Sequence, residues 1–277
     1  MRSNLMSTNV EMEKITIPDI LTKKKNNEKI AALTAYDFLM AEMLDEAGID
    51  IVLIGDSVGM VISGYSTTLP VTMDQMIYHA KIVSNAVKRA LVVVDMPFLS
   101  YQTSIEKGIE NAGRFLKETE SQAVKLEGGE TVVDLVRKMV NYGIPVMGHI
   151  GLVPQSIHRF GSYKLQGKDP KIARQLRRDA KLLEEAGVFS MVLEKIPAIL
   201  AKEISESISI PTIGIGAGPF CDGQILVSHD LLGIYDKFQP RFVRRYANLA
   251  KDMRKAFRNY LKDVRSGNFP SEDEYFK

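Results

Sequence analysis

KIAALTAYDFLMAEMLDEAGIDIVLIG, residues 29–55, is the stretch on which the fold turns. Two short apolar runs, 29–35 and 49–55, flank a longer segment that Asp37 can cap at its start and Ala47-Gly48 can close at its end. The second run, IDIVLIG, is β-branched and nearly continuous, as expected of a strand buried on both faces of a parallel sheet. Strand, helix, strand is the reading.

The same unit recurs along the chain. Further strand candidates are 90–96, 122–128, 144–150, 189–195, 210–216 and 223–229. Helix-like stretches lie between them at 105–120, 132–142, 173–186 and 197–207. Val132, Leu135, Val136, Met139 and Val140 carry the i, i+3, i+4 spacing of one buried helix face. Eight strands, each followed by a helix or long loop, predict an α/β fold of the closed (β/α)8 TIM-barrel type; an open doubly wound sheet is the alternative. Lacking any linker-like stretch, the chain is expected to be one domain over 1–277, with 1–13 a loose tail. A short helix is expected to begin at 17–20, the lysines at 23–25 to form a solvated face, and a long basic helix to occupy 240–265.

Composition narrows the function. With 277 residues, 45% hydrophobic and 25% charged, the net charge is only +2. Such a balance gives no electrostatic reason to expect nucleic acid or membrane partners. Cys221 is the single cysteine, so no internal disulfide is available. No run is long enough for a bilayer span, and the first residues lack a secretory apolar core. The expected location is the cytoplasm.

In βα barrels the active site forms at the C-terminal ends of the strands. Strand two ends at Asp56-Ser57, strand three at Asp95, strand four at Lys125 and Glu127, strand five at His149, strand six at Glu194, and strand eight at His229-Asp230. One reading is a set of scattered ion pairs closing the barrel mouth, with Asp95 a helix cap. The other is a catalytic rim. Asp56, Asp95 and Glu127 come from adjacent strands, about 4.8 Å apart, so their carboxylates can converge and would repel without a cation. Oxygen-only ligation favours Mg²⁺, or Mn²⁺. Lys125 shares a strand face with Glu127, and suits either an anionic substrate or a structural ion pair. Glu194 stands across the rim, free for proton transfer. His149 between them could polarise a substrate oxygen or be an inert hydrogen-bonded histidine. Gly214, Gly216 and Gly218 fail the dinucleotide fingerprint at Pro219, so tight turning explains them. Tyr36 and Asp37 line the mouth or cap a helix, and His79 and His158 are expected to be non-catalytic.

At these residues the sequence resembles the 3-methyl-2-oxobutanoate hydroxymethyltransferase (ketopantoate hydroxymethyltransferase) family. The matching segments are TAYDFLMAEMLDEAGID, LIGDSVGMVISGYSTTLPVTMDQMIYH, VDMPFLSY, AVKLEGG, GHIGLVPQS, YKLQG, MVLEKIP and IGIGAGPFCDGQILVSHDLLGI, in order from Thr34 to Ile234. The resemblance implies a barrel similar to those of phosphoenolpyruvate mutase and isocitrate lyase, in a homo-oligomer that is often a decamer. It implies Mg²⁺ surrounded by Asp56, Asp95 and Glu127, Asp56 and Asp95 most directly, and a 2-oxo acid carboxylate held by Ser57 and Lys125. Glu194 would be the proton acceptor. The implied reaction passes the one-carbon unit of 5,10-methylenetetrahydrofolate to 3-methyl-2-oxobutanoate, giving 2-dehydropantoate (ketopantoate) for pantothenate and coenzyme A synthesis. Rival readings are a lyase of the same superfamily acting on a diacid, and a catalytically silent barrel. Val153, Ser162 and Lys195 depart from the family pattern, which has Thr, Gly and an uncharged residue there. The first two fall in the loop after strand five, where they bear on loop closure and folate contacts. Lys195 is expected to point away from Glu194 by strand alternation.

Overall fold

The structure, a computed structural model, describes residues 13–236 and 239–276. The expected tail over 1–13 lies almost wholly outside the described residues. The described residues fall into two compact units, one up to Ile225 and one from Leu226 onward.

The strands are β1 (Ile30–Thr34), β2 (Ile51–Ile54), β3 (Leu91–Asp95), β4 (Ala123–Lys125), β5 (Val146–Gly151), β6 (Ser190–Glu194), β7 (Thr212–Ile215) and β8 (Gly223–Leu226). They close into a parallel barrel in sequence order, which decides for the closed barrel over the open sheet. The first βα unit forms as its residues dictate. The Asp37 carboxylate caps helix Phe38–Glu46 by accepting the Met40 N–H at 2.9 Å, and Gly48 leaves the helix at φ +83°.

Strand alternation sorts the core into two layers. Ile30, Ala32, Ile51, Leu53, Leu91, Val93, Ala123, Met147, Val192 and Ile213 fill the barrel interior. Val52, Ile54, Val92, Val94, Val124, Val146, Met191 and Leu193 face the surrounding helices. In helix Val133–Asn141 the buried face is Val133, Leu135, Val136 and Met139. Of the predicted face, Leu135, Val136 and Met139 hold, Val132 is buried in the preceding 3-10 turn, and Val140 is half-buried.

Three expectations are corrected. Strand eight stops at Leu226, because the Val227 carbonyl accepts the N–H groups of Asp230 at 3.0 Å and Leu231 at 3.1 Å and starts helix Ser228–Leu231. His229 and Asp230 therefore do not end a strand. The C-terminal helix is Leu249–Ser266, shorter than 240–265; the Tyr246 N–H donates to the Leu231 carbonyl at 2.8 Å instead of joining a helical ladder. The lysines at 23–25 lie in helix Ile17–Lys25, and two of them do more than solvate a face. Lys24 Nζ donates to the carbonyls of Ser205 (2.8 Å) and Ile210 (2.9 Å) and pairs with Asp222 at 3.0 Å, while Lys23 Nζ lies 3.2 Å from Asp50.

Candidate active site

Strand register builds the centre of the site. Asp95 at the end of β3 is the direct neighbour of Lys125 at the end of β4, and both belong to the inward-facing set. Lys125 Nζ donates to Asp95 Oδ1 at 2.5 Å, and both side chains are 5% exposed, so the pair is sealed from water. The other Asp95 oxygen, Oδ2, accepts the Asp56 backbone N–H at 3.1 Å. Next to Asp56, the Ser57 hydroxyl lies 2.7 Å from the hydroxyl of buried Tyr36.

Glu127 follows β4 on the same side. Its Oε2 accepts the Gln155 backbone N–H at 3.0 Å, and its own N–H donates to the Tyr101 hydroxyl at 3.0 Å. His149 on β5 stands between two acids: Nδ1 lies 3.6 Å from Glu127 Oε1 and Nε2 lies 3.4 Å from Glu194 Oε2. Both ring nitrogens are buried and neither makes a hydrogen bond. A buried imidazole with both nitrogens unsatisfied is poised for a ligand oxygen. Glu194 ends β6 beside Gly151 of β5. Gly151 has φ +100°, and a Cβ there would lie 2.2 Å from the Glu194 carbonyl oxygen, so only glycine fits this close approach.

Burial dominates the electrostatics. The Asp56 carboxyl is pushed up to about 6, first by burial and then by the neighbouring Asp95 charge. Burial and the Asp56 charge hold Glu127 well above the usual carboxylate range. Burial alone would lower the Lys125 ammonium, but Asp95, Glu127 and Asp56 outweigh it and hold it above its ordinary value. Burial, then the Lys125 charge, keep His149 below its ordinary value and therefore neutral near pH 7. Three buried carboxyls face one buried ammonium; burial and their mutual repulsion hold Asp56 and Glu127 up, and once ionised they offer hard oxygen donors and an excess of negative charge. That donor set fits a hard divalent cation. Among the described residues no three His, Cys, Asp or Glu side chains close on one point. Asp56 and Glu127 are joined instead through Gln155.

The structure thus brings Asp56, Ser57, Asp95, Lys125, Glu127, His149 and Glu194 to one end of the barrel. Lys195 follows Glu194 in a left-handed conformation (φ +51°), and its ammonium donates to the Tyr163 carbonyl. Val153 lines a cavity of about 620 Å³ that opens beside Glu127 and Gln155 and is also walled by Arg159, Gln166 and Asp179. Gly218 has φ +79° and a Cβ there would lie 2.4 Å from Ala198 Cβ, so packing accounts for it. His79 Nδ1 is 2.7 Å from the Tyr36 carbonyl. The reading of strand ends missed Gln155 and Tyr101. Both lie within quoted segments, GHIGLVPQS and VDMPFLSY, but beyond any strand end, where polarity alone carries no signal.

The ketopantoate hydroxymethyltransferase profile matches residues 14–272. The chain belongs to the ketopantoate hydroxymethyltransferase family. A 3-methyl-2-oxobutanoate hydroxymethyltransferase from Syntrophus aciditrophicus is 52% identical over 98% of this chain and 100% of the relative. One from Chlorobium luteolum is 56% identical over 95% and 96%, respectively. Family and enzyme class are therefore as the motifs predict: a hydroxymethyltransferase. Among solved structures, 2,3-dimethylmalate lyase, a PEP mutase/isocitrate lyase superfamily member, aligns with TM-score 0.59 and 15% identity over 94% of this chain and 91% of that one. Phosphonopyruvate hydrolase, in complex with oxalate and Mg++, aligns with TM-score 0.60 and 11% identity over 93% and 92%. These likenesses show the same barrel fold. No described helix is long and apolar enough to cross a membrane.

Proposed function

We propose that this chain transfers a hydroxymethyl group from 5,10-methylenetetrahydrofolate to 3-methyl-2-oxobutanoate. A bond forms between C3 of the acid and the one-carbon unit, water supplies the hydroxyl oxygen, and ketopantoate and tetrahydrofolate leave. The observation that carries this reading is the enclosed Asp56–Asp95–Lys125 cluster at the same barrel mouth as Glu194, which lies across His149 from Glu127.

Asp56, Asp95 and Glu127 would hold Mg²⁺, with Asp56 and Asp95 the nearer pair. Bound there, the ion supplies a Lewis acid beside the 2-oxo group. Lys125 and Ser57 orient the substrate carboxylate, which aligns the C3–H bond for removal. Glu194 takes that proton at a carboxylate oxygen. Its partner His149, kept neutral by burial, has one N–H to offer a substrate oxygen and no charge to compete with the cation. The resemblance to the family supports a homo-oligomer, a decamer in the family's usual form; the lack of a linker-like stretch supports one domain, and composition a cytoplasmic location.

The test is incubation of purified protein with 3-methyl-2-oxobutanoate and 5,10-methylenetetrahydrofolate, with Mg²⁺ or with EDTA, followed by mass spectrometry. Ketopantoate formed only in the Mg²⁺ arm is the expected result. Folded protein that yields none in either arm removes the proposal and brings the lyase or the silent barrel forward.

A further inference from the structure

We propose that Gln155 is a positioning residue: it sets the relative placement of the Asp56 and Glu127 carboxylates, and through them the affinity for a divalent cation. The inference rests on reading Asp56 and Glu127 as cation-holding groups, as above.

Pro154–Ser156 is a single 3-10 turn just past β5, and the side chain of its central residue is turned into the barrel mouth, 5% exposed. Gln155 engages its backbone N–H and both ends of its side-chain amide. Its backbone N–H donates to Glu127 Oε2 at 3.0 Å. Its Nε2 donates to Asp56 Oδ2 at 3.0 Å and to the Met96 carbonyl at 2.9 Å. Its Oε1 accepts from the Tyr101 hydroxyl at 2.8 Å and from Gln102 Nε2 at 3.1 Å.

This pattern fixes the amide's orientation. Exchanging oxygen and nitrogen would set the oxygen against two groups that only accept, the Asp56 carboxylate and the Met96 carbonyl. The Met96 carbonyl and the Asp56 carboxylate therefore hold the NH₂ group where it is, and Tyr101 and Gln102 support the oxygen. One residue thus grips an acid from the end of β2 and another from the end of β4, spanning the strand between them.

The chemistry also favours an amide over any charged side chain. A lysine or arginine here would neutralise the excess negative charge that attracts a cation. A glutamate would repel Asp56 and Glu127. A neutral amide holds Asp56 while the backbone N–H holds Glu127, and the charge of both acids is left intact. Partners of this kind behind metal ligands change metal affinity by about 10- to 100-fold when removed.

The deciding variant is Gln155→Met, which keeps the side-chain length and removes the amide. Mg²⁺ alone is titrated into metal-free wild type and variant by calorimetry, alongside melting curves and steady-state rates. The expected result is a Kd for Mg²⁺ raised about 10- to 100-fold, with kcat at saturating Mg²⁺ falling far less. Gln102→Leu, which removes a donor to Gln155 Oε1 and touches neither acid, should shift the Kd in the same direction, and most of that shift should vanish in the Gln155→Met background. If Gln155→Met does not fold, Gln102→Leu alone carries the test.

A Kd within twofold of wild type, in a variant whose melting temperature has dropped, would reduce Gln155 to loop packing and overturn the inference. Wild type that makes ketopantoate yet shows no Mg²⁺ binding would overturn it as well. Wild type that binds Mg²⁺ but makes no ketopantoate removes the reaction, while the Kd comparison still decides for or against Gln155.

Discussion

Lys125 lies directly across from Asp95 in the β3–β4 register, and its ammonium donates to Asp95 Oδ1 at 2.5 Å inside the barrel mouth. Before any ligand enters, the one buried cation of the rim is already engaged with one of its acids. Lys125 is thus both an ion-pair partner and the positive charge nearest the proposed substrate carboxylate. Replacing it with Met strands Asp95, buried, beside Asp56. Removing one partner of such a pair costs about 3–5 kcal/mol, readable in urea unfolding of the metal-free protein. We expect kcat/KM to fall by at least about 100-fold, since the acids lose their placement. Unchanged unfolding free energy would show that the pair is not held in solution.

Glu194→Gln keeps shape and removes the base. Exchange of the C3 proton of 3-methyl-2-oxobutanoate in D₂O, followed by NMR, should slow by about 10²- to 10⁴-fold, while the Mg²⁺ Kd stays near wild type. Exchange at the wild-type rate would take Glu194 out of its role.

Mg²⁺ should stabilise the protein more as pH rises through 6. Asp56 titrates at about 6 in the folded protein, against 3.8 ordinarily, so the folded state keeps a proton that the unfolded chain has already lost. Stability from this group is present at low pH and is lost as pH rises from about 4 to about 6. His149, lowered in the fold, works in the opposite sense and costs stability as pH falls below its ordinary value. The absolute melting curve mixes both effects, so the difference between Mg²⁺ and EDTA samples is the cleaner readout. It should widen between pH 5 and 7.5, because the ion competes with the proton on Asp56. A difference independent of pH would remove Asp56 from the cation site.

Gly151→Ala puts a Cβ against the Glu194 carbonyl at a backbone angle that alanine rarely adopts. We expect a loss of about 1–3 kcal/mol, together with slowed C3 proton exchange, because the shift is delivered to the residue that carries the base. A variant that lost stability at full exchange rate would show that the strand end moves without moving the carboxylate.

Lys24→Met, at the opposite end of the barrel, should separate stability from chemistry. It leaves the Ser205 and Ile210 carbonyls and the Asp222 carboxylate without their shared donor. The cost should be about 1–3 kcal/mol in urea unfolding, with KM, kcat and the Mg²⁺ Kd unchanged. A changed Mg²⁺ Kd would show that the two ends of the barrel are coupled.

Sequence pattern alone determined the barrel and most of its rim. The eight apolar runs locate eight strands because strands buried on both faces tolerate few polar residues, and an ionisable group then marks where a strand meets the site. Asp95, Lys125, His149 and Glu194 were legible in this way, each in step with the inward-facing residues two positions before it. Asp56 is the instructive exception. Alternation from Ile51 and Leu53 would turn it toward the helices, yet β2 ends at Ile54, and the turn that follows gives its N–H to Asp95 and its carboxylate to Gln155. Tertiary structure alone decided that placement. It also decided the Lys125–Asp95 pairing, the stranded nitrogens of His149 and the role of Gln155. The physical reason is range: periodicity is set by neighbours a few residues away in the chain, whereas Gln155 and Asp56, 99 residues apart, meet only because the barrel closes.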